Sequence, residues 1–177
     1  MNIYKDYTPP AGNGGLFLKL NDGDSFRLRI LGEPVVFENE YEGKLSTRYG
    51  WPVYNHDAEA QQILQGGATV YNAIAELATD DDWGDPSEYD VKVGRKGSGL
   101  NDTKYSVTPM NKSQEVPKDL EDLDLVAVIS KSEFSHNVQL LSERINGAKP
   151  AAKPAKDNLP KDDEVTDEPI DLDEIPF

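Results

Sequence analysis

Residues 16–31 read LFLKLNDGDSFRLRIL, and this stretch decides the fold class. Phe26, Leu28 and Ile30 alternate with Arg27 and Arg29. A period of two puts the apolar side chains on one face of a strand and both arginines on the other. An apolar run from Leu16 to Leu20 precedes it, and Asn21-Asp22-Gly23-Asp24 between the two runs is a turn signal. The expectation is two strands joined by a short hairpin.

The same pattern recurs outward along the chain. PVVFENEYEGKLSTRYGWPVYN, residues 34–55, reads as two strands about a turn at Glu42-Gly43, with Pro52 marking an edge or a bulge. AQQILQGG, residues 60–67, is a short apolar strand or turn. The period then changes. Val70, Ile74 and Leu77, with Ala73 and Ala78, are spaced for a helix from about Ala68 to about Ala78, ended by Asp80–Asp82. Val91 and Val93, then Tyr105 and Val107, form a second hairpin around the glycine-rich basic loop GRKGSGLND, residues 94–102. Two weaker helical patterns follow, in PKDLEDLDLVAVIS and near NVQLLSERING.

The expected fold is therefore mainly β. A small antiparallel barrel of the OB type with one internal helix is the simplest packing, and a small α+β sandwich would give the same string of elements. The expected organisation is a flexible leader over 1–14, a core over 15–110, a helical extension over 111–147, and a disordered linker and acidic tail over 148–177.

The chain of 177 residues carries a net charge of -15, unevenly placed. From Asp157 to Phe177 nine acidic residues stand against Lys161 alone, a net -8, so residues 1–156 carry -7. There is no cysteine, which excludes disulfides, thiol nucleophiles and thiolate metal sites and suits a reducing cytoplasm. MNIYKDYTPP lacks the basic start and apolar run of a signal peptide, and no apolar stretch approaches the roughly 20 residues of a membrane span.

Enzymatic chemistry finds little support. His56 and His136 have no nucleophilic or acidic partner at a recognisable spacing. Asp22 and Asp24 lack the ligand pattern of a calcium loop, and Asp80–Asp82 with Asp85 reads as a solvated helix end rather than a metal site. GRKGSG lacks the Gly-Lys-Ser/Thr order of a phosphate loop and precedes a strand. No catalytic residue, metal or cofactor is expected.

Single-strand binding is better supported. It needs cations for the backbone and aromatic faces for the bases. KLSTRYGWPVY offers Lys44, Arg48, Tyr49, Trp51 and Tyr54; FRLRI offers Arg27 and Arg29; the second hairpin offers Lys92, Arg95, Lys96, Lys104 and Tyr105. The rival reading makes these aromatics core and the arginines a solvated face. The acidic balance weighs against any phosphate ligand.

WGDPSEYDVKVGRKGSGLNDTKYSVTPM, residues 83–110, resembles the late hairpin of single-stranded-DNA-binding proteins from tailed phages. The matching residues are Trp83, Asp85, Pro86, Arg95, Gly97, Gly99, Leu100, Thr103, Tyr105, Val107 and Pro109, within a likeness spanning roughly 15–110. GLNDTKY has one residue more than that family's usual loop, and the zinc-binding cysteines some members carry are missing, so no zinc is expected. Separately, DLDEIPF, residues 171–177, is similar to the acidic tip of bacterial single-stranded-DNA-binding proteins.

The two resemblances imply an OB fold, a single-stranded DNA ligand, and a tail that recruits replication, recombination or repair proteins from the cytoplasm, the host's if the chain is phage-encoded. In that tail Asp171, Asp173 and Glu174 would steer toward a basic partner, Ile175 and Phe177 would fill its pockets, and Pro176 would limit the ordering cost. The alternative is an acidic DNA mimic that inhibits a DNA-processing enzyme, for which the net charge speaks.

Overall fold

A computed structural model describes residues 15–147. Seven antiparallel strands form one sheet: β1 (Ser25–Ile30), β2 (Val35–Tyr41), β3 (Lys44–Asn55), β4 (Ala60–Gly66), β5 (Asp90–Lys96), β6 (Lys104–Pro109) and β7 (Ser135–Leu140). Helix α1 (Ala68–Thr79) lies between β4 and β5, and two short helices, α2 (Leu125–Ser130) and α3 (Leu141–Ile145), flank β7. The mainly β architecture with one internal helix and C-terminal helical segments is as expected. The leader and the acidic tail, with its tip residues, lie outside the described residues.

β3 organises the sheet. Gly50 pairs with Val35 of β2 and with Gln65 of β4, and Val53 pairs with Ile30 of β1 and with Gln62 of β4. Hence β1 and β2 follow one another along one edge of β3, and β4 occupies the other. The chain detours between them at residues 31–34, where Pro52 sits opposite. A proline has no N–H to give, and here nothing on that edge requires one, while its carbonyl still accepts from Leu31 N at 2.8 Å. A proline in the middle of a strand is tolerated because the ladder is already broken at that place.

The sheet does not close. Its order is β6-β5-β1-β3-β2-β7 with β4 beside β3, and among the described residues no pairing joins the outer strands into a barrel. Helices cover the faces instead. Val70 and Ile74 of α1 pack with Leu28, Ile30, Trp51, Val53, Leu64, Val91 and Val93. Leu125 and Ile129 of α2 pack with Val35, Phe37, Ile63 and Val138. β3 and β4 are thus covered on both sides, so Trp51, Val53, Tyr54 and Asn55 are all buried and the simple alternation disappears there.

Two local expectations are corrected. Leu16–Leu20 is no hairpin partner of β1. The turn at Asn21–Asp24 forms, with Asn21 N donating to Asp24 Oδ2 at 2.8 Å. But β1 already has β3 and β5 on its two edges, so the run crosses to β4, where Leu18 N donates to Ile63 O at 2.9 Å and Ile63 N to Leu16 O at 2.7 Å. Second, the helical pattern near NVQLLSERING is half strand. β7 pairs with the free edge of β2 and seats Val138 beside Phe37, and only Leu141–Ile145 is helical.

The β2–β3 hairpin turns through Glu42 (φ 49) and Gly43 (φ 73). Both central residues of this tight turn need positive φ, which asparagine adopts at less cost than glutamate. Glu42→Asn is expected to raise stability by roughly 0.5 kcal/mol, read as a higher urea midpoint with an unchanged slope. Among the described residues no helix is long and apolar enough to cross a membrane.

Candidate nucleic-acid interface

The β5–β6 hairpin and the start of α1 enclose an open groove of about 620 Å³, lined by Arg48, Thr69, Arg95, Ser98, Gly99, Leu100, Thr103, Lys104 and Tyr105. Three cations and a tyrosine line it, and no carboxylate does. Each cation comes from a different strand. Arg48 projects from β3, Arg95 from β5 and Lys104 from β6. Sheet register pairs Arg95 with Tyr105 on one face of the hairpin and Lys96 with Lys104 on the other, and Tyr105 and Lys104 both border the groove.

Arg95 is held in place. Its Nη1 donates to Leu20 O at 2.8 Å and its Nε to Gly97 O at 3.2 Å, and the guanidinium lies 5.9 Å from the Tyr105 ring centroid. Carbonyl partners leave its full charge uncompensated. Thr69, in the first turn of α1, borders the groove. That helix starts at Gly67 without a side-chain cap and has no acid in its first turn, so its free amide ends add positive potential. The nearby carboxylates face backbone: Asp22 accepts from Gly97 N at 2.7 Å and Asp102 from Gly99 N at 2.6 Å.

The remaining expected contacts fall elsewhere. Arg27 and Arg29 do point away from the core face of β1, but they are not a free basic face. Arg27 Nε donates to Asp90 Oδ2 at 2.7 Å and Arg29 Nε to Asp90 Oδ1 at 2.9 Å, with His56 Nε2 3.1 Å from the same oxygen. The two guanidinium groups also reach the carbonyls of Lys112 and Gln114, and Gln114 N donates to Asp90 Oδ2 at 2.8 Å. The Asp90 side chain is fully buried. Burial alone would raise its pKa; the Gln114 amide, the two arginines and His56 outweigh burial and hold it below the ordinary carboxylate value. This cluster clamps residues 112–114 onto the sheet.

Of the aromatic candidates only Tyr105 reaches the groove. Trp51 is 2% exposed and Tyr54 is 7% exposed, so neither presents a face to a base. Tyr54 meets His56 edge-on at 5.1 Å, and Tyr49 stacks on Tyr71 of α1 at 4.3 Å. Trp51 is buried under α1, with Val70 and Ile74. Lys92 and Lys96 are exposed on the outer face of β5, opposite to Arg95, and neither lines the groove. Lys44 stands at the tip of the β2–β3 hairpin, next to Glu42 and away from the groove.

Sequence reasoning did not reach Asp90, whose only signal was an acid inside an apolar alternation, nor Thr69, Ser98 and Thr103. Trp83, Asp85 and Pro86 belong to a structural turn: Trp83 packs at 5.3 Å from Tyr89, and Asp85 accepts from Ser87 N at 2.9 Å, which with the Ser87 side chain lowers its pKa. A second groove, of about 420 Å³ between α1 and residues 30–34, is mainly apolar and bordered by Glu33 and Asp85, a poor setting for phosphate. No protein-family model, no curated protein and no solved structure matches the chain.

Proposed function

We propose that this chain binds and protects single-stranded DNA during replication, recombination or repair, without catalysing a reaction. One observation carries the reading. In a chain of net charge -15, Arg48, Arg95 and Lys104 converge with Tyr105 on one open groove free of carboxylates. Arg48 and Lys104 would take phosphates, Arg95 would add charge while orienting Tyr105, and the tyrosine ring would stack on a base. Lys96 and Lys92, which project from the face of β5 opposite to Arg95, would attract the strand at longer range. Lys96 directly opposite Lys104 is a repulsive cross-strand pair, and a bound phosphate relieves it. Arg27 and Arg29 support the sheet through Asp90 rather than touching DNA.

The test is the anisotropy of fluorescein-labelled oligo-dT titrated with the full chain at several salt concentrations. A label on the DNA is the suitable reporter, because Trp51 is buried and away from the groove. Binding that weakens steeply with salt is expected; no binding at low salt overturns the reading. An acidic DNA mimic predicts that second result.

The tail completes the proposal. Asp171, Asp173, Glu174, Ile175, Pro176 and Phe177 would form a tethered ligand for a replication or recombination protein with a basic-rimmed apolar pocket. Removing residues 170–177 should leave oligo-dT affinity unchanged or raise it, since the deletion removes negative charge near the DNA. A fall in affinity would show that the tip contributes to DNA binding instead.

A further inference from the structure

We infer that Leu100 is a wedge that inserts between the bases of a bound single strand and makes the groove selective for unstacked nucleic acid. The inference rests on the single-strand-binding reading above and adds to it a residue and a mechanism of discrimination.

Leu100 is exposed to the full extent of an isolated residue, whereas the other exposed large apolar side chains, from Phe17 at 39% to Ile145 at 74%, keep part of their surface covered. A lone exposed leucine needs no explanation in general. Two features set this one apart.

The first is that its loop is built. Gly97 N donates to Asp22 Oδ1 at 2.7 Å, Gly99 N to Asp102 Oδ1 at 2.6 Å, and Thr103 Oγ1 to Gly99 O at 2.6 Å. Gly97 has φ +88, and a Cβ there would lie 2.3 Å from Asp102 O, so the backbone path admits only glycine. The loop therefore holds Leu100 out in water by design of its own hydrogen bonds, with little ordering left to be done on binding.

The second is position. Leu100 lines the same groove as Arg48, Arg95, Lys104 and Tyr105. An apolar side chain gains nothing from a phosphate. The part of a nucleic acid against which it can leave water is a base face. In a duplex those faces are covered by stacking, and opening a step costs a few kcal/mol. In a single strand they are available, so an apolar wedge beside a cationic track favours single strands. The cations set affinity and salt dependence, and the wedge sets which form of the strand fits.

The experiment uses the full chain, a fluorescein-labelled oligonucleotide for affinity, and an oligo-dA carrying one 2-aminopurine, whose fluorescence rises on unstacking. The unaltered protein should raise that fluorescence on binding. Leu100→Ala should weaken binding about five- to tenfold at every salt concentration, leave the slope of log K against log salt unchanged, and lose most of the fluorescence rise. Leu100→Phe should restore both. Lys104→Ala should do the reverse, lowering the slope by about 0.7 while keeping the rise. If the protein binds but Leu100→Ala matches it in affinity and fluorescence, the wedge is wrong and the DNA-binding reading stands. If the unaltered protein binds no oligonucleotide, both fall together.

Discussion

Asp90→Ala should lower the stability of the fold by about 3–5 kcal/mol, seen as a fall in the urea midpoint. The buried carboxylate is the common acceptor for Arg27, Arg29, His56 and the Gln114 amide. Removing it leaves two guanidinium groups, 18% and 15% exposed, facing each other without their counter-charge. Residues 112–114 lose most of their clamp as well, because Gln114 N loses the carboxylate oxygen that accepts from it at 2.8 Å. Hydrogen exchange should therefore quicken first around residues 110–116.

The sign of the pH dependence follows from the direction of the shift. Asp90 has a lowered pKa when folded, so its contribution is complete above the ordinary carboxylate value of 3.8. It is lost as pH falls through the depressed folded value. The stability difference between the native chain and Asp90→Ala should be constant from neutral pH down to about pH 5 and shrink below about pH 4. A difference that stays constant into strong acid would mean that packing, not charge, dominates at this position.

The second large effect concerns DNA. Arg48→Glu combined with Lys104→Glu should reduce oligo-dT affinity by roughly a hundredfold or more at low salt and flatten its salt dependence. The double reversal changes the groove from three cations to one cation and two anions. Lys104 is exposed and Arg48 half-buried, and neither has an ion-pair partner among the described residues, so the circular dichroism spectrum should be unchanged. Against Lys104→Glu alone, which changes the net charge equally, Lys44→Glu is the matched control. It alters the net charge in the same direction but stands at the hairpin tip, and should change affinity only about two- to threefold through long-range repulsion. Equal losses from both substitutions would mean that net charge, not the groove, governs binding.

The elements that could be read from the chain are those whose signal is local. Phe26, Leu28 and Ile30 announce β1, Val70 and Ile74 announce α1 to within a residue of its observed ends, and Glu42-Gly43 announces a turn. Elements whose state depends on a distant neighbour could not be read. Leu16–Leu20 looks like a hairpin arm until both edges of β1 are found to be taken. Residues 137–140 look helical until the free edge of β2 claims them for β7. Trp51 and Tyr54 look like stacking platforms until helices cover β3 on both faces.

The candidate site divides in the same way. Sequence alone settles the inventory: which cations and aromatics exist, that the second hairpin carries a glycine-rich basic loop, that no thiol chemistry is possible, and that more than half of the net negative charge sits in the last 21 residues. The tertiary structure decides which of those charges are available. Arg27 and Arg29 are as cationic as Arg48 and Arg95, but a buried carboxylate 61 to 63 positions away engages both guanidinium groups of the first pair and none lines the groove of the second. Periodicity is a property of neighbours in sequence, whereas the freedom of a charge depends on what the folded chain places within a few ångströms of it.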